Sequence, residues 1–241
     1  MTRLTTCADP EAVAARGAAD IARELEQVCA ERGAAHIALS GGTTPKRTYE
    51  LLAEEPVDWA GVHVWFADER CVGPDDPESN YRLAAETLLA RAAIPPERTH
   101  RMEGELGPEE GASRYAQELS ANAPANAEKM PLLDLIVLGI GPDGHVASLF
   151  PGAATLDAGE HALCLGVHDS PKPPPERITL SLAVLRAAPH CLLLATGASK
   201  SDAVQAMLAE PSRHVPASLL RRERLTVIVD DAASPNSNRA P

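Results

Sequence analysis

The stretch LLDLIVLGIGPDGH (residues 132–145) decides the fold class of this 241-residue chain. Its first seven residues are apolar except for Asp134, and such a run is typical of a central parallel strand that is covered on both faces. A glycine-rich segment, 139–145, follows directly. Ligands of α/β proteins bind beyond the carboxyl ends of the parallel strands, so this segment marks the expected binding edge of the sheet.

Strand-like and helix-like segments alternate on both sides of this stretch. Apolar runs predict strands at 36–39, 62–66, 161–167, 190–195 and 225–229, with a short one near 99–102. Helical patterns lie at 10–32, 46–53, 81–91, 108–121, 178–187 and 200–209. The alternation predicts one doubly wound α/β domain over 1–230, with a mostly parallel sheet and helices on both faces. A loose polar tail is expected over 231–241.

The composition excludes several classes of protein. With 22 basic and 34 acidic residues the net charge is −12, which argues against a nucleic-acid binder because such proteins need a basic face. Five scattered cysteines without a CxxC pair argue against a disulfide framework and a structural zinc site. No apolar run approaches the ~18 residues of a membrane span. We therefore expect a soluble, cytoplasmic protein with no nucleic-acid or membrane partner.

The loop after the strand 36–39 has features of a phosphate site. Glycines allow a ligand to approach the backbone closely, while hydroxyls and free N–H groups at a helix start favour a phosphate. An ordinary capped strand–helix turn is the alternative, and the loop matches neither a P-loop nor a dinucleotide fingerprint. The candidate binding residues are Ser40, Gly41, Gly42, Thr43 and Thr44.

The segment 139–145 contains the best candidate for a general base. Asp143 lies two residues before His145, so its carboxylate can hold the imidazole in one tautomer and raise its basicity. Gly141 and Gly144 allow close backbone approach. A capping aspartate beside a buried histidine is the alternative. The other histidines are expected to be structural or surface residues.

Three cations follow predicted strands or loops near the same edge. Arg70 ends the charged segment Asp68-Glu69-Arg70, Arg177 follows the proline-rich segment 171–175, and Lys200 lies close to a helix start. Each could bind a phosphate or a carboxylate. A solvated surface charge is the alternative for each of them taken alone.

Taken in order, these segments resemble the 6-phosphogluconolactonase family, within the superfamily that includes glucosamine-6-phosphate deaminase. The resemblance spans residues 39–200, and its most specific block is GxGxDGHxASLFP at 139–151. The matching segments are LSGGTTP (39–45), FADERCV (66–72), SNY (79–81), LGIGPDGHVASLFP (138–151), RITL (177–180), and Gly197 with Lys200.

The resemblance implies a deaminase-like fold and hydrolysis of 6-phospho-D-glucono-1,5-lactone to 6-phospho-D-gluconate in the pentose phosphate pathway, without a metal or an organic cofactor. His145, oriented by Asp143, would activate water, and Arg70 would stabilise the developing charge or hold the substrate. The loop 40–45 would bind the phosphate together with Arg177 and Lys200. Further candidates are Asp68, Glu69, Gly141 and Gly144.

Two alternatives stay open, a sugar-phosphate isomerase or deaminase and a non-catalytic sugar-phosphate sensor. The deaminases carry Asn-Glu-Pro where this chain has Leu149-Phe150-Pro151, and Asp-Glu-Tyr where it has Asp68-Glu69-Arg70. Both departures favour the lactonase. The expected partner is a small-molecule lactone, and the expected assembly is a monomer or a small homo-oligomer.

Overall fold

Five apolar runs of the sequence and one polar strand at the edge form an all-parallel sheet of six strands. The computed structural model describes residues 2–127 and 129–235. In the order in which they pair, the six strands are Arg3–Cys7 (β1), Leu225–Asp230 (β9), His190–Ala195 (β8), Leu135–Gly139 (β5), Ala35–Leu39 (β2) and Val62–Phe66 (β3). β5 and β2 lie in the interior of this sheet, and β2 is buried along its whole length. Their apolar sequences follow from that burial.

A second sheet, small and antiparallel, was not predicted. Its strands pair in the order Asp68–Arg70 (β4), Arg177–Leu180 (β7) and Cys164–Val167 (β6). β4 begins two residues after β3 ends, and Ala67 between them bonds to both sheets: its N–H donates to Leu39 and its carbonyl accepts from Leu180. The small sheet is therefore fixed at the carboxyl ends of β2 and β3.

Six α-helices flank these sheets within the described residues. They are Pro10–Arg32 (α1), Thr43–Leu52 (α2), Asn80–Ala84 (α3), Pro108–Asn122 (α4), Leu182–Ala187 (α5) and Ser201–Leu208 (α6). α3 continues into a π-helical turn, Ala85–Leu89. α1 packs on α2 and on the parallel sheet, while α4 covers β6 and β7.

The ends of α1 show why this segment forms the longest helix. The side chain of Asp9 accepts the N–H of Ala12, and Pro10 occupies the first turn, where its missing N–H costs nothing. Gly33 ends the helix with φ = +80°, a conformation that glycine adopts without strain. The sequence prediction of 10–32 is confirmed.

Several predicted elements were wrong. The segment predicted as a helix over 178–187 begins as strand β7, and only Leu182–Ala187 is helical, because Ser181 caps it there. Asp68-Glu69-Arg70 is strand β4 and not a loop. No strand forms over 99–102, where Thr99 makes a single bridge to Val64. The edge strand β1 was missed altogether.

Two buried tyrosines fasten the ends of the strands that reach the binding edge. The Tyr49 hydroxyl accepts the N–H of Ser40 (3.0 Å) and donates to its carbonyl (2.9 Å). The Tyr115 hydroxyl makes the same pair of bonds with Phe66, at 2.8 and 3.1 Å. Buried backbone polar groups need such partners. These bonds fix the residues at which β2 and β3 end.

The first part of the segment predicted to be a loose tail is held on the domain. Ala233 is fully buried, its N–H donates to Asp230, and the Ser234 carbonyl accepts from Ser201. Residues 231–235 are therefore fixed, while the remainder of the predicted tail, 236–241, lies outside the described residues. No helix in the described ranges is long and apolar enough to cross a membrane.

Candidate active site

The carboxyl ends of β2, β5 and β8 open into a cleft that β4 and β7 border. Its cavity volume is about 210 Å³, and the cleft is open to solvent on one side. The structure brings eleven of the fourteen predicted site residues to its walls, and leaves Glu69, Asp143 and Gly144 just behind them. The cleft is lined by residues 40–45, Asp68, Arg70, Asn80, Gly139, Ile140, Gly141, His145, Ala147, Lys172, Arg177, Leu194, Ala195 and Lys200.

His145 and Asp143 form a hydrogen-bonded pair at the cleft. Nδ1 of His145 lies 2.5 Å from Oδ1 of Asp143, and 14% of the His145 side chain is exposed. Because the carboxylate accepts a hydrogen bond from Nδ1–H, the neutral ring carries its lone pair on Nε2. Burial lowers the pKa of His145, and the charge of Asp143 opposes that effect. The ring is therefore uncharged near neutral pH.

The loop that carries this pair is a tight turn. The N–H of Gly141 donates to the carbonyl of His145 (2.9 Å), and Gly144 has φ = +83°. A Cβ at position 141 would lie 2.0 Å from His145 Nδ1 and 2.3 Å from Asp143 Oδ1. Only glycine leaves room for the pair at this position.

The loop 40–45 presents an open helix end to the cleft. Gly42, with φ = +122°, precedes α2, and no side chain caps the helix. The free N–H groups of the first turn attract an anion. The Oγ of Ser40 is buried in the cleft wall without a hydrogen-bond partner among the described residues. A buried hydroxyl of this kind needs a ligand or water to satisfy it.

Arg70 and Arg177 pair in register across β4 and β7. Nη1 of Arg70 donates to the carbonyl of Glu78 (2.5 Å), while its buried Nε has no partner within the described part of the chain. Arg177 is buried, and its guanidinium donates to backbone carbonyls of the segment 172–174. The two arginines thus differ: Arg70 keeps a donor for a ligand, whereas Arg177 uses most of its donors on the protein.

Asn80 is a cleft residue that the sequence reasoning did not single out. Its Nδ2 donates to the carbonyl (2.9 Å) and to Oδ1 (3.1 Å) of Asp68, whose Oδ2 accepts from Ser148 (2.7 Å). A Cβ at position 41 would lie 1.9 Å from Oδ1 of Asn80, so the glycine there leaves room for the Asn80 amide. The segment SNY carried part of the family resemblance, which was the only available signal for Asn80.

Glu69 lies behind the cleft and fixes its wall. Its buried carboxylate accepts the N–H groups of Arg70 (2.7 Å), Asn80 (2.7 Å) and Tyr81 (2.8 Å), and the hydroxyl of Ser79 (3.0 Å). Four donors on one buried carboxylate fasten α3 to β4. Glu69 is thus a structural anchor in this geometry.

The cleft combines four cationic side chains (Arg70, Lys172, Arg177 and Lys200) with the imidazole of His145. In residues 2–127 and 129–235, no group of three or more His, Cys, Asp and Glu side chains is arranged to hold a metal ion.

A sequence profile described as glucosamine-6-phosphate isomerases/6-phosphogluconolactonase matches residues 8–229. The chain belongs to this family.

Relatives within the glucosamine-6-phosphate isomerase/6-phosphogluconolactonase family match nearly the whole chain. A protein named 6-phosphogluconolactonase from Streptomyces coelicolor is 38% identical over 238 residues, which cover 94% of this chain and 91% of that protein. A protein of the same name from Synechocystis sp. is 34% identical over 220 residues, which cover 90% of this chain and 90% of that protein.

Solved structures of the family share the fold. A 6-phosphogluconolactonase from Trypanosoma cruzi has a TM-score of 0.86 at 26% identity, and the match covers 100% of this chain and 98% of that one. A monomeric glucosamine-6-phosphate deaminase has a TM-score of 0.79 at 22% identity, over 96% of this chain and 98% of that one. The deaminase-like α/β fold expected from the sequence is confirmed.

Proposed function

We propose that this chain hydrolyses 6-phospho-D-glucono-1,5-lactone to 6-phospho-D-gluconate, the lactonase step of the pentose phosphate pathway, with His145 as the general base. The observation that carries the proposal is the His145–Asp143 pair at the wall of a cleft that also contains Arg70 and Lys200. The relatives from Streptomyces coelicolor and Synechocystis, named 6-phosphogluconolactonase, support the choice of substrate.

The reaction needs one base and no covalent nucleophile, because a lactone carbonyl is already electrophilic. Nε2 of His145 takes a proton from water as the water oxygen bonds to C1. The bond between C1 and the ring oxygen then breaks, and the imidazolium returns the proton to that oxygen, which becomes the C5 hydroxyl. The new carboxylic acid loses its proton to solvent. General-base catalysis of this kind contributes about 10²–10⁴-fold to the rate.

The cations and the open helix end bind the negative charges. Nε of Arg70 and Oγ of Ser40 are buried atoms of the cleft wall without a hydrogen-bond partner among the described residues, and we assign them to the substrate and its developing oxyanion. The N-terminus of α2 (Gly42, Thr43 and Thr44) and Lys200 take the 6-phosphate. Arg177 lies in the wall of the cleft, and its guanidinium binds the backbone carbonyls of residues 172–174.

The ring of Phe150 favours the lactonase over the isomerase alternative. It is buried, and its centroid lies 4.7 Å from that of His145. The family's deaminases carry a glutamate at this position, and a phenyl ring cannot exchange the protons that ring opening and isomerisation require. The Phe150 ring also contributes to the burial that keeps His145 neutral.

We also propose the setting in which the enzyme acts. All five cysteines are unpaired, as expected of a protein in the reducing cytoplasm. The net charge of −12 argues against a nucleic-acid partner. The mechanism above requires neither a metal nor an organic cofactor, and it uses residues of one chain only, as in a monomer or a small homo-oligomer.

A direct assay tests the function. The loss of 6-phospho-D-glucono-1,5-lactone is followed with the purified chain and corrected for spontaneous hydrolysis, before and after dialysis against a chelator. We expect rapid hydrolysis that survives dialysis. Release of ammonia from glucosamine 6-phosphate would support the deaminase instead, and binding of 6-phosphogluconate without lactone turnover would support the sensor.

A further inference from the structure

Lys172 brings another cation to the rim of the cleft. It lies on the proline-rich segment 171–175 (the Pro-rich loop), and it is an exposed lysine that lines the same cleft as His145 and Lys200. The ammonium groups of Lys172 and Lys200 form no ion pair with a carboxylate of the described residues. Both charges are therefore available to an anion.

The backbone of Lys172 is fixed although its side chain is exposed. Its carbonyl accepts from Ser170 Oγ (2.8 Å) and from Arg177 Nη2 (3.1 Å), and its N–H donates to Ser170 Oγ (3.2 Å). Arg177 also donates to the carbonyls of Pro173 (3.3 Å) and Pro174 (3.2 Å). Proline rings restrict φ along the segment. Little backbone freedom is left for the loop to lose when a ligand binds.

The charges of the cleft favour a dianion near Lys172. Burial lowers the pKa of Lys200, and the charge of Lys172 lowers it further. The same charge opposes protonation of His145. Two ammonium groups that repel each other are stabilised by an anion that contacts both. The phosphate of the proposed substrate is a dianion of that kind.

We propose that Lys172 is a second lysine for the 6-phosphate, acting with Lys200, and that Arg177 is the positioning residue that holds it over the cleft. The inference rests on the proposed function for its substrate, but phosphate binding can be measured without turnover. Lys172 is therefore a specificity residue for phosphorylated lactones.

The test compares Lys172→Met and Lys172→Arg with the wild type. The measurements are kcat and KM for the phosphorylated lactone and for D-glucono-1,5-lactone, and the Kd of inorganic phosphate by calorimetry. For Lys172→Met we expect KM and the phosphate Kd to rise about 10- to 100-fold, the loss of one charge-assisted contact. We expect kcat to change less than about threefold. Lys172→Arg should recover most of the affinity.

The control is Lys129→Met, which removes the same charge from an exposed lysine ahead of β5, at the other end of the parallel sheet. It should leave all three quantities unchanged. An unchanged KM and phosphate Kd in Lys172→Met would overturn the proposal. An equal increase in KM for the two lactones would also overturn it. A wild type that binds phosphate through Lys172 but hydrolyses neither lactone would reject the proposed function and leave this inference intact.

The positioning role of Arg177 has its own test. If Arg177 acts through Lys172, the increases in KM for Arg177→Gln and Lys172→Met are not additive in the double variant. Ser170→Ala loosens the same backbone more mildly and should give a smaller, equally non-additive increase, which keeps the test open if Arg177→Gln does not fold. Additive increases in KM when Lys172→Met is combined with Arg177→Gln and with Ser170→Ala would contradict the positioning role of Arg177.

Discussion

Arg70 and Arg177 stand directly opposite each other across β4 and β7. Like charges in such a pair destabilise a sheet. Burial lowers the pKa of Arg177 and the charge of Arg70 lowers it further, whereas Asp68 raises it. The folded protein thus holds two cations together at the cleft at some cost in stability, as is common for residues kept for binding.

This pair predicts that Arg70→Gln separates activity from stability. Without ligand, the loss of repulsion offsets the lost bond to Glu78, so we expect a Tm within about 3 °C of the wild type by calorimetry. The kcat/KM should fall about 10- to 100-fold, because a charge-assisted contact to the substrate is lost. Glu78→Gln is the control, since its exposed carboxylate lies 3.6 Å from Arg70 and contributes little. A large fall in Tm would make Arg70 a structural residue instead.

The His145–Asp143 pair predicts a pH signature. His145→Asn should lower kcat by about 10²–10⁴-fold with little change in Tm. In Asp143→Asn the carboxylate that raises the pKa of His145 is gone, so the acid limb of the kcat profile should move to lower pH. The kcat should also fall, because nothing fixes the tautomer. A limb that moves to higher pH would show that another group is the base.

Glycine at position 141 predicts a sharp steric effect. Gly141→Ala places a methyl group 2.0 Å from His145 Nδ1, so the imidazole must turn away from Asp143. We expect a loss of kcat at least as large as in Asp143→Asn. The matched control is Gly73→Ala, where a Cβ meets nothing within 4 Å. Full activity in Gly141→Ala would mean that the pair forms differently when substrate is bound.

The parallel sheet could be predicted from the sequence because its signal is local. Each of β2, β3, β5, β8 and β9 is a mostly apolar run, and at most one residue of each strand is not fully buried. The edge strand β1 is polar and half exposed, so it lacks that signal. Edge strands of this kind are typically recognised only through their partner.

The small sheet could not be predicted, since its pairing is non-local. Segment 177–180 is compatible with either a helix or a strand, and it becomes β7 because β4 lies beside it, more than 100 residues earlier in the chain. The same limit applies to the cleft. The pairing of Asp143 with His145 follows from their spacing, whereas the placement of Lys172 and the bonds of Arg177 to the Pro-rich loop depend on the tertiary structure.

His36 predicts how the stability of the fold depends on pH. It lies at the far end of β2 from the cleft, its Nδ1 accepts from Trp65 Nε1 (3.1 Å), and its ring stacks on that of His63 at 4.5 Å. Burial lowers the pKa of His36 to about 3, and the nearby charges of His63 and His100 add to the effect. In the folded protein His36 therefore stays neutral across the range in which the unfolded chain takes up a proton.

The direction in which the free energy of unfolding changes with pH follows from proton uptake. Between pH 6.5 and about 3 the unfolded chain binds more protons than the folded one at His36, so the free energy of unfolding falls as pH falls, by at most about 1.4 kcal/mol per pH unit for this residue. Burial lowers the pKa of His63 as well, which adds to the slope. Urea unfolding at pH 7.5, 6.0 and 5.0 measures it. His36→Gln, whose amide oxygen accepts from Trp65, should flatten the slope, whereas the exposed His161→Gln should leave it unchanged. An undiminished slope in His36→Gln would assign the effect to other groups.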